Sequence, residues 1–162
     1  MTRDERSKDE NATKARMGMN AAEKFLHKWG FSSIERVDKK RVDKKGYGCD
    51  FKASKDGLPF TIEVKTTQTK GVPDAFGTEF NLPAGNGLSN FEFKPDYLLV
   101  VVVEKAEDGS FHPKRGVLVK KDEVNKYEDH KPVTHVKFSR EFQRDLMDGS
   151  KKIGEWLDWT ED

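Results

Sequence analysis

The 162-residue chain has one cysteine, Cys49. An intramolecular disulfide is therefore excluded, and no Cys/His grouping has the spacing of a zinc site. Charge of one sign is also missing: 30 Lys and Arg stand against 29 Asp and Glu, for a net charge of +1. That excludes a global basic field of the kind that coats nucleic acid, though not a local basic stripe. Long hydrophobic runs are absent. The longest, Tyr97 to Val103, falls far short of the roughly 20 apolar residues that span a bilayer, so no membrane partner is expected. The start, Met1 to Asn11, is charged rather than apolar and does not read as a signal peptide. A cytoplasmic protein is the expectation.

What is present is a core with polar margins. Apolar residues make up 34% and charged residues 36%, against roughly 25% charged in an average soluble domain. The length suits one domain with one continuous core. Residues 1–10 read as a polar, disordered start, 11–148 as the domain, and 149–162 as an acidic tail carrying Trp156, Leu157 and Trp159. Within the domain, Ala12, Ala15, Met19, Ala22, Leu26 and Trp29 recur at steps of three and four, predicting a helix closed by Gly30. A short strand follows over Ser33–Val37. Gly48–Ser54 and Leu58–Thr67 flank Asp56-Gly57, a strong short-range hairpin signal. The segment Gln68–Asn90 is a long loop with a short strand near Glu79–Leu82. Tyr97–Glu104 suits a strand buried on both faces. Gly116–Lys120 and Val133–Phe138 read as further strands, and Ser139 caps a helix bearing Phe142 and Leu146. The fold class expected is α/β, with a mixed central β-sheet flanked by helices.

The chemistry concentrates in the hairpin. In the second strand Thr61, Glu63, Lys65 and Thr67 face one side while Phe60, Ile62 and Val64 face the other. If Asp56-Gly57 is a two-residue turn, Lys55 pairs with Leu58, and counting back places Asp50 opposite Glu63 on the polar face and Gly48 opposite Lys65. Like charges in a cross-strand pair are unfavourable by ~0.2–1 kcal/mol, and a hard cation between them reverses that sign.

An acid in one strand followed by acid-x-lysine in the next, here Asp50 and Glu63-Val64-Lys65, resembles the PD-(D/E)XK nuclease superfamily. The resemblance covers about Ala12 to Thr67, and loosely reaches Phe138. Cys49 stands where the family name has proline. The resemblance implies a restriction-endonuclease-like core, Asp50, Glu63 and Lys65 as catalytic residues, and Asp50 and Glu63 as ligands of Mg²⁺ or Mn²⁺. Many members add a glutamate from the first helix. Glu23 is the candidate here, although Met19 falls nearer the usual place, and Gln68 is a candidate further polar contact.

The expected function is metal-dependent hydrolysis of phosphodiester bonds, with DNA the expected substrate. The alternative is a catalytically inactive nucleic-acid or protein-binding module that keeps the fold. Lys39, Lys40, Arg41, Lys44 and Lys45 read either as a phosphate-contacting patch or as a solvated loop diluted by Asp38 and Asp43. For Asp50 and Glu63 themselves the competing reading is a solvated sheet face. A homodimer would place a second site for a second strand. The tail is expected to contact a protein partner or a second copy rather than join the core, because Trp156, Leu157 and Trp159 are too closely spaced for one helical face.

Overall fold

The computed structural model describes residues 2–37, 49–68, 81–83, 93–126, 135–137, 142, 145–146 and 153–161. Helix α1 (Arg3–Lys28) leads into β1 (Ser32–Arg36), β2 (Phe51–Lys55) and β3 (Leu58–Gln68). After β4 (Asn81–Pro83) come β5 (Tyr97–Lys105), β6 (Phe111–Lys120), α2 (Lys121–Asn125), β7 (His135–Lys137) and β8 (Glu155–Asp158). Six strands form one sheet in the order β1-β2-β3-β5-β6-β8, and β4 pairs with β7 in a separate ladder. The β3–β5 pair is parallel and every other neighbouring pair of the large sheet is antiparallel. The expected mixed α/β architecture is therefore present. Among the described residues no helix is long and apolar enough to cross a membrane.

The turn chemistry sets the hairpin as its sequence implies. Asp56 and Gly57 both adopt positive φ, 53° and 80°, the pattern of a type I′ turn whose twist matches the flanking strands. Lys55 pairs with Leu58, and the register runs unbroken to Phe51↔Ile62. On the other side of β3, Asp96 fixes the parallel register. Its carboxylate accepts from the Thr61 backbone N–H at 2.8 Å and from the Thr61 hydroxyl at 3.1 Å, and its own N–H donates to that hydroxyl at 3.0 Å. β3 is thus held between two neighbours, in the interior of the sheet.

Two apolar cores lie on opposite faces. One gathers Phe25 and Leu26 of α1 with Phe51, Ile62, Leu99 and Val101. The other gathers Leu98, Val100, Val117 and Val119 with Phe93, Val124, Phe142 and Leu146. Alternation along β5 supplies both, so its continuous apolar run is buried on both faces as expected.

Four expectations are corrected. Residues 1–10 are not a disordered start: α1 begins at Arg3, where Thr2 and Glu5 form a reciprocal capping box that satisfies two end N–H groups. The apolar stripe buries the helix only in its second half. Ala12 and Ala15 are exposed, while Ala21, Ala22, Phe25 and Leu26 are buried. The tail is no separate contact segment either. β8 pairs with β6 from Arg115↔Asp158 to Leu118↔Glu155 and closes that side of the sheet. Trp156, Leu157 and Trp159 do not suit a helix, but they suit a strand. Leu157 and Trp159, two residues apart, pack on the α1 core, and Trp156, one residue before Leu157, packs on the other. The sixth strand also starts earlier than its apolar pattern suggests, because Phe111–Arg115 contains Pro113, beside which the register shifts between Val102 and Val103.

The closest approach of α1 to β3 is at Gly18. A Cβ there would overlap Thr66 Oγ1 and meet Thr66 Cβ at 2.9 Å. Helix propensity alone favours Gly18→Ala by up to ~1 kcal/mol. Overpacking against a stiff β-branched residue costs about 1–3 kcal/mol and should win. Thermal melts of Gly18→Ala, Thr66→Ala and the double variant check this. The single Gly18 change is expected to destabilise, and the added Thr66→Ala to restore much of the loss.

Candidate metal and phosphate site

Asp50 sits just before β2, where the chain bends out of the ladder. Its N–H donates to the Ile62 carbonyl at 2.9 Å on the β3 side, while its carbonyl accepts from Val37 N–H at 3.0 Å on the β1 side. A residue in regular extended backbone points both groups at one neighbour. The bend frees the side chain to act as the missing acceptor, and Oδ2 takes the Val64 N–H at 2.8 Å. The simple cross-strand pairing of Asp50 with Glu63 is thereby corrected. The two are neighbours through Val64, and Asp50 is tied to the β3 backbone rather than merely facing it. Gly48, expected opposite Lys65, lies outside the described residues.

Glu63 lies in β3 beside Leu98 of β5. Asp50 is 3% exposed and Glu63 5%. That burial weighs against the solvated-face reading, because carboxylates withdrawn from water cost several kcal/mol each unless they are paired or ligating. Lys65, two positions along the same face, places Nζ 3.8 Å from Glu63 Oε1 and remains part-exposed. The three residues named from the sequence therefore stand at one place.

A cavity of about 610 Å³ lies beside the part of β3 that runs beyond the Phe51↔Ile62 pair. It is lined by Lys14, Ala15 and Met19 of α1, by Arg36 and Val37 at the end of β1 with the neighbouring Asp50, and by Glu63, Val64, Lys65 and Thr66 of β3. Glu23 is not part of that lining. It pairs instead with Arg36, Oε2 to Nη2, at 3.7 Å. Gln68, half-buried at the end of β3 opposite Val103, does not line the cavity either. Lys39, Lys40, Arg41, Lys44 and Lys45 lie outside the described residues, as does most of the loop after Gln68. Lys14 and Arg36 were not singled out by the sequence. Arg36 is one charge among many there, and only the packing of α1 against β1 brings it to this cavity.

The donor set decides which ion fits. Among the described residues no group of three or more His, Cys, Asp or Glu is assembled to hold a metal. A closed four-ligand zinc cage is therefore a poor match. Two carboxylates beside an open cavity match Mg²⁺, which takes one or two protein carboxylates and fills its shell with water and phosphate oxygens. Cys49, beside Asp50, is buried. Burial pushes its thiol above the ordinary range; Lys52 opposes that shift, and the charges of Glu63 and Asp50 add to it. It stays protonated and unreactive at neutral pH.

Asp50→Asn separates charge from shape here, since the amide oxygen can still accept the Val64 N–H. Melts with and without Mg²⁺ or Mn²⁺ are expected to show little change in the metal-free protein. The variant should lose most of the metal-dependent stabilisation, which for a native-state ligand is about 2.7 kcal/mol at a hundredfold excess over Kd. Equal stabilisation of both proteins would place the ion elsewhere.

Comparison with known protein families, curated proteins and solved structures finds no match to this chain. The functional argument therefore stands on the geometry.

Proposed function

We propose that this protein is a metal-dependent nuclease that hydrolyses phosphodiester bonds in DNA, with a PD-(D/E)XK arrangement on a restriction-endonuclease-like core. The observation that carries the reading is the burial of Asp50 and Glu63 in the lining of one cavity with Lys65 Nζ 3.8 Å from Glu63. Two carboxylates and an amine gathered in the interior of a sheet, beside an opening wide enough for a ligand, support that reading.

Asp50 and Glu63 are the residues that would hold Mg²⁺ or Mn²⁺. When bound, such an ion acidifies a water and withdraws charge from the scissile phosphate. The chain's own contribution is preorganisation. The Val64 N–H fixes the Asp50 carboxylate, so that ligand does not have to be ordered at the moment of reaction. Lys65 supplies a fixed positive charge in the same lining, where it orients the attacking water and offsets negative charge developing on the phosphate oxygens. The burial of the Asp50 and Glu63 carboxylates strengthens the charge interactions among these groups.

The test is a panel of supercoiled, linear, single-stranded and branched DNA incubated with Mg²⁺ or Mn²⁺, beside Asp50→Ala. Metal-dependent cleavage by the wild type alone is the expected result. Cleavage by both proteins, or by neither, removes the assignment.

A further inference from the structure

The cavity lining also carries two cations from α1 and β1, Lys14 and Arg36, and the arginine is held in place. Arg36 Nη2 donates to Asn20 Oδ1 at 2.7 Å and lies 3.7 Å from Glu23 Oε2, both from α1. The same guanidinium sits over the Phe51 ring, 5.9 Å from its centroid. Lys14 of α1, half-buried, lines the same cavity.

We infer that Arg36 and Lys14 form a clamp for the DNA phosphate backbone in the cavity that Asp50 and Glu63 line, and that Glu23 with Asn20 positions Arg36. The inference rests on the nuclease reading for its substrate but on different residues for its evidence. Three contacts from two elements fix the plane of a side chain that is otherwise among the most flexible, and a fixed planar fork is what recognises a phosphate with two hydrogen bonds. Charge points the same way. The cavity lining carries Lys14, Arg36 and Lys65 against Asp50 and Glu63, so a divalent cation at the carboxylates leaves the whole lining electropositive and in need of anions. An exposed ion pair such as Arg36–Glu23 contributes little to stability, which leaves positioning as its consequence. Glu23, which the sequence suggests as an accessory glutamate of the site, is directed instead to the arginine.

Binding to a short DNA duplex, measured by anisotropy over a salt series in the Glu63→Gln background with Mg²⁺, tests this. Arg36→Ala and Lys14→Ala are each expected to reduce the slope of log affinity against log salt by about one. Their melting temperatures should stay unchanged. Arg36→Lys should keep the slope and recover only part of the affinity, because the fork is lost and the charge is not. Glu23→Gln should weaken binding when Arg36 is present and have no effect in the Arg36→Ala chain. Unchanged slopes in both alanine variants overturn the clamp, even if the wild type cleaves DNA normally. Reduced slopes in a protein that never cleaves leave the clamp standing and remove the nuclease reading. Failure of the full chain to bind the duplex at all overturns both.

Discussion

Lys65→Ala should lower metal-dependent cleavage by about 10²–10³-fold, the cost of losing one preorganised charge aimed at a developing oxyanion, while metal-dependent stabilisation is retained. Glu63→Ala should remove both. The two residues share a strand face and lie 3.8 Å apart, yet they are assigned different work, and the pair of measurements separates them. The lysine change leaves both carboxylates in place and makes the empty site more negative, so the ion is held at least as well. The glutamate change removes a ligand outright. Neither should unfold the protein. Lys65 is part-exposed and reaches water when its partner is cut back, which discounts the penalty of about 3–5 kcal/mol for orphaning a fully buried charge. If Lys65→Ala lost metal binding as well, the amine would be a structural support for Glu63 rather than a participant in the reaction.

Deleting residues 154–162 should cost more than about 3 kcal/mol, the scale for removing a buried aromatic from a core. The deletion strips β8 from its ladder with β6 and removes Trp159, whose ring meets Phe25 edge-on at 5.5 Å. Phe25 is fully buried and stacks on Trp29 at 5.7 Å, so the loss opens the α1 core from its side. Trp156 goes too, with the Arg115 guanidinium that sits 4.4 Å over its ring. The β6 edge would then be unpaired, and aggregation of the truncated chain should accompany the loss of stability. Urea unfolding of the full and truncated chains checks this. A loss near zero would return the segment to the role of a partner contact.

The tail shows where the sequence could be read and where the wrong period was applied. Three apolar residues within four positions spread over about 160° of a helix and read poorly as one narrow stripe. A strand alternates every second residue, however, and Trp156, Leu157 and Trp159 then serve two different cores. The start of the chain is similar. Its polar composition suggests disorder, but Thr2 and Glu5 carry the spacing of a capping box, and composition outweighed that motif. The hairpin was legible to the residue because Asp-Gly permits few turns and a turn fixes every pairing that follows. Asp50 marks the limit of that logic. One step beyond Phe51↔Ile62 the backbone bends, and no local signal in Gly48-Cys49-Asp50 announces that a carboxylate will replace a carbonyl as acceptor. Arg36 was illegible for another reason. Its place at the cavity depends on how α1 crosses the sheet, which the close approach at Gly18 and Thr66 sets through contacts distant in sequence.

The most direct test of the central claim, that Asp50 and Glu63 jointly hold the ion that drives phosphodiester hydrolysis, is cleavage of supercoiled and branched DNA by the full chain as Mg²⁺ is titrated. Glu63→Ala, verified as folded by its melt, runs beside it. The account predicts a wild-type rate that rises with Mg²⁺ and saturates, with no product from the variant at any concentration. Wild-type rates in the folded Glu63→Ala protein would contradict it.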